Sequence, residues 1–131
     1  VTFLWRAAGS PAPKATTTAF TDLDKSAYYY DAVLWAVEQG ITTGTSATTF
    51  SPNATVTRGQ TVTFLYRFAG QPAVSGSSSF TDVNSSDYYA AAVQWAKEQG
   101  ITSGTSDTTF SPTSDCTRGQ IVTFLYRQLA K

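Results

Sequence analysis

The stretch Thr57-Arg58-Gly59-Gln60-Thr61-Val62-Thr63-Phe64-Leu65-Tyr66-Arg67 decides the fold because the chain repeats it. The stretch begins at 57 and again at 117, a period of 60 residues, and its second copy has one change, from Thr61 to Ile121. A shortened copy, Val1 to Arg6, opens the chain. Self-similarity at a fixed period is typical of repeat proteins, so three copies of one helix frame two full repeats.

Local chemistry predicts that this stretch is a helix from 57 to about 69. Thr57 and Gln60 match a capping box, in which the threonine oxygen accepts a hydrogen bond from the N–H of Gln60 and the glutamine side chain accepts one from the N–H of Thr57. Apolar residues follow at helical spacing and give the helix one apolar face: Val62, Leu65, Tyr66 and Phe68.

Arg58, repeated as Arg118, is unexpected at the first position of a helix. The positive end of the helix dipole disfavours a cation there by roughly 0.3–1 kcal/mol. A guanidinium beside free N–H donors makes an anion site, since arginine grips a carboxylate or phosphate with two hydrogen bonds. The alternative is that Arg58 pairs with a carboxylate of the chain, for example Asp22 or Glu38. The sequence leaves both interpretations open.

The 131 residues fit one compact domain or two very small ones, with 41% hydrophobic residues to fill a core. Nine basic and nine acidic residues cancel, so long-range charge favours neither nucleic acid nor an acidic membrane surface. The chain has no His, and we interpret its one cysteine, Cys116, as a small buried hydrophobe. We therefore expect no metal and no cofactor. No apolar run approaches the roughly 20 residues that cross a membrane.

The repeats and linkers divide the chain into five segments. Gly9 ends the opening helix, and stretches rich in Pro, Gly and Ser follow the repeated helices. The predicted segments are the terminal helix of a truncated repeat at 1–9, a linker at 10–19, a repeat at 20–70, a linker at 71–79 and a repeat at 80–131. Because the chain begins inside a helix, we expect its N-terminus to be a cut.

Each repeat also carries an earlier helix and a loop. Helical spacing predicts the first helix at about 29–39, closed by a Schellman arrangement at Gly40, and Trp35 and Trp95 are expected to fill the core between the two helices of a repeat. The loop that follows is rich in glycine and hydroxyl side chains and has Phe50 as its expected inward anchor. The hydroxyl groups either satisfy the loop's own backbone, which is their commoner use, or face a sugar.

The order of these motifs resembles the S-layer homology repeat. Both repeats contain, in order, Phe-x-Asp-Val/Leu, an aromatic followed by Ala-Val-x-Trp-Ala, Gly-Ile-x-x-Gly, Thr-Phe-Ser-Pro and Thr-Arg-Gly-Gln. The likeness covers both full repeats and the opening fragment and leaves out only the linkers. It implies an all-α fold of tandem helix-loop-helix repeats, used three at a time in a spindle with pseudo-threefold symmetry around a central helical bundle.

The resemblance also implies a function. Proteins with such repeats are held non-covalently on the bacterial cell wall, outside the cell, through a secondary cell-wall polysaccharide that often bears pyruvate ketals. The corresponding family motif is Thr-Arg-Ala-Glu, and its Arg lines the ligand groove, so this role carries over to Arg58 and Arg118. The expected partner is an acidic or pyruvylated polysaccharide, with no nucleic acid and no insertion into a membrane.

The chain departs from the family motif in ways that bear on a ligand. Glycine replaces the family's Ala and would let a ligand reach the backbone, whereas glutamine replaces its Glu, keeps the capping box and removes a charge. Tyr28 and Tyr88 stand where the family usually has Trp. The predicted ligand-binding residues are Arg58, Arg118, Gly59, Gly119, Gln60, Gln120, Tyr28, Tyr88, Thr45, Ser46, Thr105 and Ser106.

Glycan binding has two alternatives, an assembly module and an enzyme. A protein–protein assembly module of a surface layer would use the tyrosine-rich outer surface without binding a glycan. If the fragment at 1–8 does not complete the central bundle, exposed apolar faces would drive self-association through the truncated repeat. We do not expect an enzyme, because the chain offers no credible nucleophile–base pair.

Overall fold

A computed structural model describes residues 1–15, 17–74 and 80–129. These residues form five helices: α1 (Thr2–Ala7), α2 (Tyr30–Glu38), α3 (Arg58–Phe68), α4 (Ala90–Glu98) and α5 (Arg118–Leu129). The described ranges contain no strand, only an isolated bridge between Thr57 and Asp115. The predicted all-α class is confirmed, whereas the pseudo-threefold spindle stays a prediction. No helix in these ranges is both long and apolar enough to cross a membrane.

The chain folds into two compact units, Val1–Ala54 and Thr55–Lys131. In the first unit α1 packs on α2, and in the second α3 packs mainly on α4 and less on α5. The boundary between the units falls inside the predicted repeat 20–70, so each compact unit begins with the last helix of the preceding sequence repeat. The segment boundaries themselves stay predictions. Residue 16 of the first predicted linker and residues 75–79 of the second lie outside the described residues.

The first helix of each repeat ends as its sequence predicts. After α2, Gly40 adopts a φ of 72° and donates its N–H to the carbonyl of Val37 at 3.1 Å. The N–H of Ile41 then donates to the carbonyl of Ala36 at 2.9 Å. This pair of bonds is the Schellman arrangement, which satisfies carbonyls that the helix end would otherwise leave unpaired.

The capping box is present at both copies of the repeated helix. At α3, the hydroxyl of Thr57 accepts from the N–H of Gln60 at 3.1 Å, and the side-chain oxygen of Gln60 accepts from the N–H of Thr57 at 2.9 Å. At α5, the hydroxyl of Thr117 accepts from the N–H of Gln120 at 3.1 Å, and the side-chain oxygen of Gln120 accepts from the N–H of Thr117 at 3.0 Å. The predicted start of the helix is thereby confirmed at both positions.

Trp95 lies in the core of the second unit, but that core forms between α4 and the preceding α3 and not, as predicted, between the two helices of one repeat. The Trp95 side chain is only 5% exposed, and its ring centroid lies 5.5 Å from that of Tyr66 on α3. Tyr66 belongs to the helix that precedes the repeat of Trp95, not to the second helix of the same repeat. The core therefore forms between consecutive repeats, because the apolar face of α3 receives α4.

A pair of phenylalanines anchors the loop of each repeat. The rings of Phe20 and Phe50 lie 5.7 Å apart in the first unit, and those of Phe80 and Phe110 lie 5.8 Å apart in the second. Gly104, at a φ of 88°, passes close to this pair. A Cβ at Gly104 would lie 2.5 Å from the Phe80 ring, which leaves no space for a side chain.

We expect Gly104→Ala to destabilise the second unit by roughly 3–5 kcal/mol, because it combines left-handed strain with a clash against Phe80 and the carbonyl of Thr109. Gly70→Ala is the matched control: Gly70 has nearly the same φ, 89°, but nothing within 4 Å of its Cβ position. It should cost only about 1–2 kcal/mol. Urea unfolding of both variants measures the difference, and equal losses would contradict the packing argument.

Candidate functional site

Arg58 is buried at the start of α3, where only 5% of it is exposed. Its Nε donates to the carbonyl of Phe110 at 2.8 Å. The guanidinium carbon lies 4.7 Å from the centroid of the Phe110 ring and 5.4 Å from that of Phe124 on α5. One hydrogen bond and two aromatic rings thus fix the cation between the loop and α5.

A single peptide group connects Arg58 with Asp82. The carbonyl of the peptide between Phe110 and Ser111 accepts from Arg58, and the N–H of the same peptide donates to Oδ2 of Asp82 at 2.8 Å. The N–H of Phe110 donates to the other carboxylate oxygen at 2.9 Å. This peptide group therefore lies between the two charges. Its carbonyl points to the guanidinium and its N–H to the carboxylate, so both ends of its dipole are stabilised.

Burial lowers the pKa of Arg58, while the charges of Cys116 and Asp82 act in the opposite direction. The ordinary pKa of arginine is so high that the guanidinium stays charged at neutral pH. Within the described residues, its terminal nitrogens make no hydrogen bond and no ion pair with a carboxylate. The ion-pair alternative considered from the sequence is not observed: Asp22 accepts from the N–H groups of its own loop, and Glu38 accepts from the N–H of Ala15.

A pocket of about 430 Å³ opens beside Arg58. Its walls come from the loop of the second repeat, from one face of α5 and from Arg58 itself. The lining residues are Arg58, Thr102, Ser103, Gly104, Thr117, Gly119, Gln120, Thr123, Phe124 and Arg127. Two of them carry guanidinium groups and none carries a carboxylate. The pocket is therefore polar and cationic.

Arg127 is the charged lining residue that the sequence did not predict; the uncharged ones are Thr102, Ser103, Gly104, Thr117, Thr123 and Phe124. It lies in the last turn of α5, and its Nη1 donates to the carbonyl of Ile101 at 3.1 Å. A signal was present in the sequence, because arginine occupies this place in all three copies of the helix, as Arg6, Arg67 and Arg127.

The two repeated glycines have different surroundings. Gly59 donates its N–H to the carbonyl of Pro112 at 2.9 Å, and a Cβ there would lie 3.1 Å from that oxygen and from the Tyr89 ring. The backbone at Gly59 is thus covered by protein, and the predicted access for a ligand is blocked. Gly119, by contrast, lines the pocket, and a Cβ there would meet only the hydroxyl of Thr117 at 3.9 Å.

Of the other predicted ligand residues, Gln120 lines the pocket and the rest do not. Tyr28 and Tyr88 are 70% and 62% exposed, and each makes an edge contact with the tyrosine that follows it, at 5.2 and 5.0 Å between ring centroids. Arg118 is exposed and makes no hydrogen bond or ion pair to a described residue through its side chain. The side-chain oxygen of Gln60 is engaged in the capping box.

The loop hydroxyls bond mainly to one another. The hydroxyl of Thr105 lies 3.0 Å from that of Thr109 and 2.7 Å from that of Ser111, and the oxygen of Ser106 accepts from the N–H of Thr109. The equivalent loop of the first unit, with Thr45 and Ser46, has the same bonds. These contacts favour the interpretation that the hydroxyls hold the loop together.

Comparison with known proteins finds one match in each of the two repeats. The model of the S-layer homology domain matches residues 19–62 and 79–122, more than half of the chain. The chain belongs to the S-layer homology domain family. This membership gives it an extracellular location at the bacterial cell surface.

Several curated relatives share this region. The chain is 35% identical to an endoglucanase of Bacillus sp. (strain KSM-635), over 87% of the chain and 12% of that relative. It is 32% identical to a cell surface protein of Thermoanaerobacter kivui, over 88% of the chain and 16% of the relative. It is 30% identical to a surface-layer 125 kDa protein of Lysinibacillus sphaericus, over 86% and 10%. The S-layer homology chain thus spans a small part of each of these proteins.

The loop of the first unit allows a test by pH. The N–H groups of Phe50 and then Ser51 lower the pKa of Asp22 below its ordinary value. A carboxyl with a lowered pKa contributes stability above the ordinary aspartate pKa, and this contribution is lost as the pH falls through the lowered value. We expect an NMR titration of the Asp22 carboxyl to show a midpoint below the ordinary range. A midpoint at or above it would contradict the bonding, and Asp22→Asn identifies the signal.

Proposed function

We propose that this S-layer homology module anchors a surface protein to the bacterial cell wall, non-covalently, by binding an acidic secondary cell-wall polysaccharide. The observation that carries the proposal is Arg58, a buried cation without a carboxylate partner among the described residues, at the wall of an open polar pocket. A pyruvate ketal on the polysaccharide supplies a carboxylate of suitable chemistry.

A buried charge is costly unless a counter-charge accompanies it. Among the described residues, Arg58 donates through its Nε alone, so its two terminal nitrogens retain the fork that binds a carboxylate with two hydrogen bonds. The hydroxyls of Thr102, Ser103 and Thr123 lie around the same pocket and suit the hydroxyl groups of a sugar. The ligand that fits this set is a saccharide bearing an acidic group.

The first turn of α5 adds one backbone donor to this pocket, the N–H of Gly119. Gly119 belongs to that turn, and its N–H makes no bond to a described residue, unlike the N–H of Gly59 in α3. The positive end of a helix favours an anion. The N–H of Gly119 and the buried guanidinium of Arg58 together suit an acidic group better than a neutral one.

We expect Arg58→Gln to weaken binding to purified cell-wall sacculi by about 10- to 100-fold, because a charged hydrogen bond contributes roughly 1.5–3 kcal/mol. Arg6→Gln is the matched control, since it removes the same charge from an exposed arginine of α1. Co-sedimentation should be measured before and after chemical removal of the secondary polysaccharide. Circular dichroism checks that each variant is folded.

Two results would refute the proposal. One is wild-type binding that persists after the polysaccharide has been removed. The other is a folded Arg58→Gln variant that binds as tightly as the wild type. Arg58→Lys separates charge from geometry, because lysine keeps the charge but lacks the planar fork, and it should bind more weakly than the wild type.

A second candidate function, assembly with other protein copies, is favoured by one observation on α5. Val122, Tyr126 and Leu129 are 47%, 72% and 49% exposed along one face of this helix. The equivalent face of α3 is covered, since Val62 is fully buried and Tyr66 contacts Trp95. Sedimentation at increasing protein concentration, without wall material, distinguishes assembly from glycan binding.

We propose no catalytic role for the module itself. The chain contains no histidine, and the described residues contain no group of three or more His, Cys, Asp or Glu side chains that could hold a metal ion. Burial raises the pKa of the one thiol, Cys116, which keeps it protonated and poorly nucleophilic. Any catalytic activity of a protein that carries this module is expected to lie in other domains.

A further inference from the structure

We propose that Arg127 is a second anion-binding residue of the pocket, and that the pocket consequently prefers an anion with two negative charges over one with a single charge. This inference rests on the proposed anion-binding role of the pocket. Its starting point is the composition of the lining, which combines the guanidiniums of Arg58 and Arg127 and lacks any carboxylate.

Arg127 lies on the face of α5 that forms the pocket wall. The residues of α5 that line the pocket lie three or four positions apart, at Gln120, Thr123 or Phe124, and Arg127. Residues at this spacing share one side of a helix. The side chain of Arg127 therefore continues the wall that begins at the first turn, two turns further along.

The bond of Arg127 to the protein fixes its position and leaves most of its donors available. Arginine carries five N–H donors in a planar fork. Within the described residues the side chain makes one hydrogen bond, from Nη1 to the carbonyl of Ile101. Ile101 directly precedes the loop residues Thr102 to Gly104 of the pocket wall. The guanidinium is thus held beside the pocket with free donors.

The charges around the pocket are unbalanced. Asp82 is the carboxylate that acts on Arg58, and both of its oxygens already accept from N–H groups of the loop. A monoanion would leave one guanidinium without a counter-charge, whereas a dianion would match both. Arg127 is exposed, so it needs no counter-charge of its own, but its attraction adds to the binding of a dianion that already contacts Arg58.

The test uses small anions as probes, so that it does not depend on the identity of the polysaccharide. Malonate, with two carboxylates, and acetate, with one, are titrated at constant ionic strength into the protein labelled with nitrogen-15. The Nε–H signals of Arg58 and Arg127 report on each guanidinium. We expect malonate to shift both signals with a single affinity that is at least about tenfold tighter than that of acetate.

Substitutions decide whether Arg127 acts directly. Arg127→Gln should reduce malonate affinity to that of acetate, and Arg127→Lys should restore part of the difference because it keeps the charge. Arg6→Gln, which removes a charge at the same motif position of α1, should leave both affinities unchanged. The thermal midpoint of each variant is recorded, since loss of the Ile101 bond alone would change stability without changing the ratio of the two affinities.

The inference is overturned if malonate leaves the Arg127 signal unmoved, or if Arg127→Gln preserves the malonate-to-acetate ratio. These results would leave the proposed wall anchoring intact as long as Arg58→Gln still weakens binding to sacculi. If the wild type discriminates malonate from acetate but ignores sacculi, the pocket is a two-arginine anion site and the proposed function fails.

Discussion

One side-chain hydrogen bond, from Nε of Arg58 to the carbonyl of Phe110, joins the start of α3 to the loop of the following repeat. The start of α3 therefore packs against the loop of the following repeat. The first N–H groups of α3 then find acceptors there, since Arg58 donates to the carbonyl of Ser114 and Gly59 to that of Pro112, both at 2.9 Å. Groups that a helix start leaves unpaired are satisfied by the next repeat, so the repeats are joined through their backbones.

The same helix sequence performs two tasks because its surroundings differ. At α3 the first turn is covered by the loop of the following repeat, and the arginine is buried. At α5 the first turn is open, Arg118 is exposed and Gly119 faces the pocket. Local sequence therefore sets the capping box at both places. The neighbouring segment determines whether the helix start is covered by the following repeat or lines the pocket.

This division explains what the sequence could predict. Helix starts and stops depend on short-range rules, and the capping boxes at Thr57 and Thr117 and the Schellman end at Gly40 are confirmed. The packing of Trp95 on Tyr66 and the position of Arg127 beside Ile101 depend on contacts between residues that lie 29 and 26 positions apart in the chain. A repeat aligned with itself shows which residues recur, but not whether a recurring helix packs forward or backward along the chain.

The two loops show that Arg58 is not needed to fold the loop. In both units an aspartate accepts from the same two loop N–H groups, and the paired phenylalanine rings lie at nearly the same distance. Within the first unit no arginine donates to the carbonyl of Phe50, yet that loop has the same bonds. The loop is thus preformed, and the arginine adds a buried charge with free donors. A buried charge that the loop does not require agrees with the proposed role of Arg58 in binding an anion.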